Sequence, residues 1–184
     1  MKVMAIIGSC RKGNSYLMVH GIEDVFNYAN IDFEIIHLKD IHFGFCVGCL
    51  KCDDSGRCFQ EDDLNDILDR IGEADALVLA SPTRWSLLSG EMKVFLDRLN
   101  PLASNELLFG KKAIVLSVGQ TQKEEDISVK TAADSIKAFC ENAGIDVIDT
   151  VLAYGCLVED DVKKSSIISQ DCILAAKRLI NSLY

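Results

Sequence analysis

The residues of this chain best equipped for chemistry are four cysteines in one short segment. Cys46-Val47-Gly48-Cys49-Leu50-Lys51-Cys52, followed by Asp53-Asp54-Ser55-Gly56-Arg57-Cys58, makes a C-x2-C-x2-C-x5-C pattern. Thiolates at that spacing on a turning backbone can converge on one face of a four-iron cubane, and Gly56 lets the chain return with the fourth ligand. Zinc could use the same four thiolates, although zinc sites usually present two separated pairs rather than three evenly spaced ligands. The remaining cysteines, Cys10, Cys140, Cys156 and Cys172, are scattered, and Cys140 and Cys172 fall on apolar helix faces as core thiols.

A second constellation lies near the start, in Gly8-Ser9-Cys10-Arg11-Lys12-Gly13-Asn14-Ser15. Two glycines, hydroxyls, an Asn and two cations leading into a helix make a phosphate cradle. Its glycine spacing is that of a triphosphate-binding loop, but Asn14 stands where that motif needs lysine, which argues against nucleotide hydrolysis. It also lacks the G-x-G-x-x-G turn of a dinucleotide site, so a monophosphate ligand fits better. A third stretch, Ser81-Pro82-Thr83-Arg84-Trp85-Ser86, joins a rigid turn, hydroxyls and the single tryptophan. Such a loop can hold a planar heterocycle while its backbone bonds the ring edge, and a flavin would suit it.

Positioning these loops requires a regular scaffold. Short apolar runs at Val3 to Ile7, Phe33 to His37, Ala76 to Ala80, Ala113 to Ser117 and Val147 to Ala153 read as parallel strands buried on both faces. Helical spacing separates them: Leu64, Ile67, Leu68 and Ile71; Glu91 to Leu99; Ile127 to Cys140 with Gly144 as C-cap; and a closing helix over Asp171 to Leu183. Five βα units predict a three-layer, doubly wound α/β domain spanning residues 1–184, with an irregular Cys-rich loop at about 41–63. Ligands of such sheets sit at the carboxyl ends of the strands, where all three constellations fall. Glu61-Asp62-Asp63 and Glu159-Asp160-Asp161 read as capped helix starts, and His20, His37 and His42 show no metal-ligand spacing.

Composition agrees. The 184 residues are 49% hydrophobic and 26% charged, which describes an ordinary globular chain. A formal charge of -9 has the wrong sign for nucleic acid or an anionic membrane. No run approaches the roughly 20 apolar residues of a membrane span, and the opening apolar run is too short for an export signal. The expected place is the cytoplasm, where eight cysteines are core thiols, metal ligands or redox groups rather than structural disulfides.

The first-strand Gly8-Ser9-x-Arg11-Lys12-Gly13-Asn14-Ser15, the Ser81-Pro82-Thr83-Arg84-Trp85 loop and the Gly90-x-x-Lys93-x-Phe95-x-Asp97-Arg98 helix resemble the NADPH-dependent FMN reductase branch of flavodoxin-like proteins. The resemblance implies a five-stranded sheet of order 2-1-3-4-5 with FMN at its switch point. It places the phosphate on Ser9, Arg11, Asn14 and Ser15, aided by Lys12 and Gly13, and the ring against Ser81, Pro82, Thr83, Arg84, Trp85 and Ser86. The loop Ser117-Val118-Gly119-Gln120 should touch the ring's other side through Ser117 and Gly119. Dimers or tetramers are implied as well.

The cysteine segment is similar to the motif of the iron–sulfur flavoproteins, which implies a 4Fe-4S cluster on Cys46, Cys49, Cys52 and Cys58. Electrons would then pass between FMN and the cluster, with ferredoxin or a small acceptor as partner and no side chain needed as general base. Asp53 and Asp54 should lower the potential of such a cluster. Related cluster-free flavin reductases carry a similar cysteine loop, so NAD(P)H-dependent reduction of FMN or a quinone stands as an alternative, with NAD(P)H as co-substrate. A zinc-stabilised flavodoxin-like binding module is a third reading.

Overall fold

A computed structural model of the chain describes residues 1–122 and 127–184. Strand β1, Lys2–Ile7, leads through the Gly8–Gly13 loop to helices α1, Asn14–His20, and α2, Glu23–Tyr28; strand β2, Asp32–His37, follows. After an irregular stretch holding the short helix α3, Lys51–Ser55, come α4, Leu64–Glu73, and β3, Ala76–Arg84. The two-residue strand β4, Leu87–Leu88, then precedes α5, Gly90–Arg98, and α6, Asn100–Ser104. The chain ends with β5, Lys112–Val118; α7, Ser128–Asn142; β6, Asp146–Ala153; α8, Asp161–Lys164; and α9, Ser166–Asn181.

The parallel strands lie in the order β2-β1-β3-β5-β6. That is the expected flavodoxin-like order, renumbered because β4 intervenes in sequence. Alternation along β1 explains the three layers. Val3, Ala5 and Ile7 face Met18, Val19, Ile22 and Phe26 of the α1–α2 segment and Cys172, Ala175 and Leu179 of α9. Met4 and Ile6 face Leu64, Ile67 and Ile71 of α4, Met92 and Phe95 of α5, and Ile136 and Cys140 of α7. A strand buried on both faces must be apolar at every position, which is why β1 reads as an unbroken run. Cys140 and Cys172 are core thiols as expected, each pushed up to about 12 by burial.

Three boundaries differ from the sequence expectation. The third strand does not end at Ala80 but runs on to Arg84 and folds back, pairing Thr83 with Leu88 and Arg84 with Leu87 antiparallel. The closing helix begins at Ser166, five residues before the apolar stripe, because the Ser165 hydroxyl accepts from the Ile168 N–H at 3.3 Å. The triad Glu61-Asp62-Asp63 is more than a helix start. Asp62 does accept from the Leu64 N–H, yet its main partner is the Arg98 guanidinium, at 2.7 and 3.0 Å. Gly144 behaves as predicted, with φ of +72° past the end of α7. Among the described residues no helix is long and apolar enough to cross a membrane.

Candidate functional site

Two cavities carry the candidate residues. The first, of about 490 Å³, opens at the carboxyl ends of the strands, walled by the loop after β1, the β3–β4 hairpin and the loop after β5. Gly8 lets that wall close tightly. Its N–H donates to the Ala80 carbonyl at 2.8 Å, and a Cβ there would lie 2.7 Å from the Met92 Cβ. Gly119 is equally enclosed, since a Cβ would lie 2.7 Å from both Thr83 Oγ1 and Val129 Cγ2.

Of the predicted cofactor residues, Ser9, Arg11, Gly13, Asn14, Ser15, Pro82, Thr83, Arg84, Trp85, Ser86 and Gly119 all line this cavity. Lys12, Ser81 and Ser117 do not. Lys12 Nζ sits 5.5 Å over the Tyr16 ring. The Ser81 hydroxyl accepts from the Ser89 N–H at 2.9 Å and fixes the entry to α5. The Ser117 hydroxyl donates to the Val129 carbonyl at 2.9 Å and holds α7 against β5. Both serines are fully buried, and their hydroxyls are engaged within the fold.

Within the loop after β1, the Ser9 hydroxyl donates to the Arg11 carbonyl at 2.9 Å, which curls the backbone. Asn14 lines the cavity, but its side chain is engaged elsewhere: Nδ2 donates to the Val158 carbonyl at 2.7 Å, and Oδ1 accepts from the Val162 N–H. It staples the segment after β6 to the cradle. The Ser15 hydroxyl, by contrast, is buried and finds no hydrogen-bond partner among the described residues. An orphaned buried donor costs about 1–3 kcal/mol, so such a group in a cavity wall is built for a ligand's acceptor. The charged residues in the wall, Arg11 and Arg84, are both cations, and Arg11 also lies 3.6 Å from the exposed Glu159.

The hairpin tip gives a second sign of function. Trp85 and Ser86 have φ of +48° and +63°, as a two-residue type I′ turn demands, though neither is the Gly or Asn that accepts this geometry easily. Trp85 is 99% exposed. The single tryptophan is therefore not a packing residue. A strained backbone that presents an aromatic at a cavity mouth is characteristic of binding sites.

Residues outside the sequence expectation complete this wall: Thr121, Ser128 and Cys156, the last a buried thiol pushed up to about 11 by burial. They come from segments separated in sequence, Ser128 from the start of α7 and the other two from loops, and no local motif marks them. His37 braces the cradle from behind. Its Nε2–H donates to the Ser9 carbonyl at 2.7 Å, while Nδ1 has no hydrogen bond among the described residues and lies 3.9 Å from Asp40. Burial pulls its pKa below the usual imidazole value, against the opposing pull of the Ser9 carbonyl and Asp40. The sequence hint was positional, a histidine at the end of the strand beside β1.

The second cavity, of about 310 Å³, is lined by Cys46, Cys49, Cys52 and Cys58 together with Arg98, Asn100 and Pro101. All four thiols are free; Cys46 and Cys49 are exposed and the other two half-buried. Gly56 adopts the left-handed conformation, φ +69°, and turns the chain back toward Cys58 as its type predicts; Gly48 and Leu50 are left-handed too. Among the described residues, no three His, Cys, Asp or Glu side chains lie close enough to share a single metal ion. Cys52 rides on α3, whereas Cys46 and Cys49 lie on irregular backbone before it, and all four thiols stand around one cavity.

The loop is anchored from below. Arg98, 1% exposed, donates to the Asp62 carboxylate and to the Gly44 carbonyl at 2.8 Å. That pairing holds the Asp62 carboxyl below its usual range despite its desolvation. Asn100 Nδ2 donates to Cys52 Sγ at 3.1 Å and to Asp53 Oδ1 at 2.8 Å.

Residues 1–147 match the family model described as NADPH-dependent FMN reductase. Over 173 residues, covering 90% of this chain and 76% of the relative, the sequence is 29% identical to an iron–sulfur flavoprotein of Archaeoglobus fulgidus. It is 34% identical over 123 residues to an iron–sulfur flavoprotein of Methanocaldococcus jannaschii, covering 66% of this chain and 64% of that one. The fold is similar to that of an NADH:FMN oxidoreductase solved in its apo form, with a TM-score of 0.74 at 19% identity, over 100% of this chain and 90% of that one.

Proposed function

Because the chain belongs to the NADPH-dependent FMN reductase family, we propose that this flavin-dependent oxidoreductase binds FMN in the strand-end cavity and exchanges electrons with a 4Fe-4S centre held by Cys46, Cys49, Cys52 and Cys58. The observation that carries the FMN assignment is the buried, unpartnered Ser15 hydroxyl in a cavity wall whose charged side chains are both arginines. A phosphate supplies the acceptor that Ser15 lacks and the negative charge that Arg11 attracts.

Bound FMN supplies two-electron acceptance from a hydride donor and one-electron release. The protein's task is placement. The curled backbone of Ser9 to Asn14 and the Ser15 hydroxyl hold the phosphate. Pro82 to Ser86 form one wall for the ring, and the close approach of Gly119 to Thr83 brings the opposite wall near it. No side chain is required as a proton-transfer group, and NAD(P)H is the proposed hydride donor.

Four thiols on one cavity are the donor set that iron–sulfur clusters use. The names of the relatives from Archaeoglobus and Methanocaldococcus favour this reading, and ferredoxin or a small oxidant would be the outside partner. The match of residues 1–147 to the family model described as NADPH-dependent FMN reductase favours the second reading, a cluster-free NAD(P)H-dependent FMN or quinone reductase. Assembly as a homodimer or homotetramer is part of the proposal and is checked by sedimentation.

The deciding measurement is iron, acid-labile sulfide, zinc and FMN content of protein purified without oxygen. About four irons and four sulfides per chain with FMN are expected, lost on changing any of Cys46, Cys49, Cys52 or Cys58 to Ser. Flavin without iron selects the reductase. Zinc without flavin overturns both.

A further inference from the structure

We propose that Asn100 and Arg98, at the junction of α5 and α6, are positioning residues that set the reduction potential of the four-cysteine centre, Asn100 by directing an N–H at the sulfur of Cys52 and Arg98 by presenting its guanidinium in the wall of the same cavity. The proposal rests on the reading that those cysteines hold an iron–sulfur cluster.

Hydrogen bonds to cluster sulfurs are a main control on potential, because they stabilise the electron-rich, reduced form. Asn100 Nδ2 already points at Cys52 Sγ, at 3.1 Å, and among the described residues the other hydrogen bond of its side chain is to Asp53. It does not cap or bond its own helix; its backbone carbonyl accepts from Ser104. Arg98 forms part of the wall of the cavity that Cys58 also lines. Two of its nitrogens are fixed by Asp62 and Gly44, but Nε is buried and without a partner among the described residues. A buried N–H left unsatisfied beside a cavity is poised for an acceptor that the cavity will hold.

The donors stand where α5 meets α6, whereas three of the four thiols, Cys46, Cys49 and Cys58, lie on irregular backbone. Met92 and Phe95 bury α5 in the core, and its N-cap, Ser89, donates its hydroxyl to the Gly8 carbonyl at the phosphate loop. The N–H groups are thus preorganised while the cysteine arm adapts to them. Asn100 also offsets the exposed Asp53 carboxylate beside Cys52, which on its own disfavours reduction. Both actions of Asn100 raise the potential, so removing it should lower the potential through both.

The test uses holoprotein purified without oxygen, with iron and sulfide assayed first and the potential then measured by redox titration followed by electron paramagnetic resonance. Asn100→Leu keeps the volume and removes the donor; Asn100→Gln restores one. The expected result is unchanged iron content and, in Asn100→Leu, an equilibrium constant for reduction about tenfold lower, which is 59 mV for one electron. Asn100→Gln should recover most of that shift. Arg98→Lys should shift the potential in the same direction while keeping the charge. Iron present in wild type and variant at equal potential overturns this inference alone. Loss of iron from both Asn100 variants overturns it in favour of a role in assembly. Wild-type protein without iron overturns the cluster reading, and this inference with it.

Discussion

One helix, α5, serves both cavities, yet they are built in different ways. At its N-terminal end the loop after β1 is locked from every side: Gly8 against Met92, Ser89 on the Gly8 carbonyl, His37 on the Ser9 carbonyl and Asn14 on the segment after β6. Past its C-terminal end the cysteine loop hangs on a few side-chain anchors, Arg98 on Asp62, Asn100 on Cys52 and Gln60 on the Phe45 carbonyl. It also exposes Phe45, Val47, Leu50 and Phe59. Strand ends bring backbone groups together as a by-product of folding the sheet. A loop without such support depends on each contact it makes and on the ligand it receives.

The comparison would break most visibly at Arg98. Arg98→Met should cost about 3–5 kcal/mol, because it strands the Asp62 carboxylate without its partner. Urea unfolding of Arg98→Met and of the double variant Arg98→Met/Asp62→Leu measures this, with much of the loss recovered in the double. No recovery would mean that the helix, not the loop anchor, carries the effect.

At the other cavity, Arg11→Ala should weaken FMN binding by about 1.5–3 kcal/mol through loss of a charge-assisted phosphate bond, with little change in stability since the side chain is half exposed. Fluorescence titration of FMN checks it. Unchanged affinity would remove Arg11 from the cradle.

Glycine substitutions sharpen the contrast further. Gly119→Ala drives a Cβ to 2.7 Å from two neighbours and should cost about 1–3 kcal/mol as overpacking. Gly48→Ala meets no atom within 4 Å and should cost about 1 kcal/mol, for its left-handed backbone alone. Equal losses in thermal unfolding would show that the two cavities are equally tightly packed.

The same division decided what could be read from the sequence. The strands were legible because each is specified locally, by an unbroken apolar run, and the loop after β1 by a Gly-Ser-rich turn at a strand end, whereas the strand order came from the family resemblance. The hairpin was half legible: Ser81 to Ser86 was marked as a ligand wall, but the return strand rests on a type I′ turn made from Trp85 and Ser86, which no turn composition announces. Ser81 and Ser117 stand outside the cavity lining, and their burial was not legible because a strand serine reads the same whether its hydroxyl bonds inside the fold or faces an opening. Asp62 read as a helix-start charge because its partner, Arg98, is 36 residues away. His37 and Ser9 are separated by 28 residues for the same reason. Contacts across the sheet leave no local pattern.

The smallest expected effect concerns that His37 brace. Burial lowers its pKa in the folded state below the ordinary 6.5, with Lys39 and Lys12 adding to the lowering and Asp40 and the Ser9 carbonyl opposing it. The unfolded chain therefore binds more protons than the folded one just below pH 6.5. Stability from this residue is complete above that pH, falls as the pH drops through the folded value, and levels off beneath it. Gln at this position keeps an N–H for the Ser9 carbonyl but cannot titrate. His37→Gln should match wild type in stability at pH 7 and lose less of it at pH 5, by urea unfolding at the two pH values. His20, paired with Glu23 on the surface, serves as the control, since changing it leaves the brace intact. Parallel pH curves for wild type and His37→Gln would remove His37 as the cause. The loop after β1 would then owe none of its pH dependence to the strand beside it, and its contacts with β3, α5 and the segment after β6 would be unaffected.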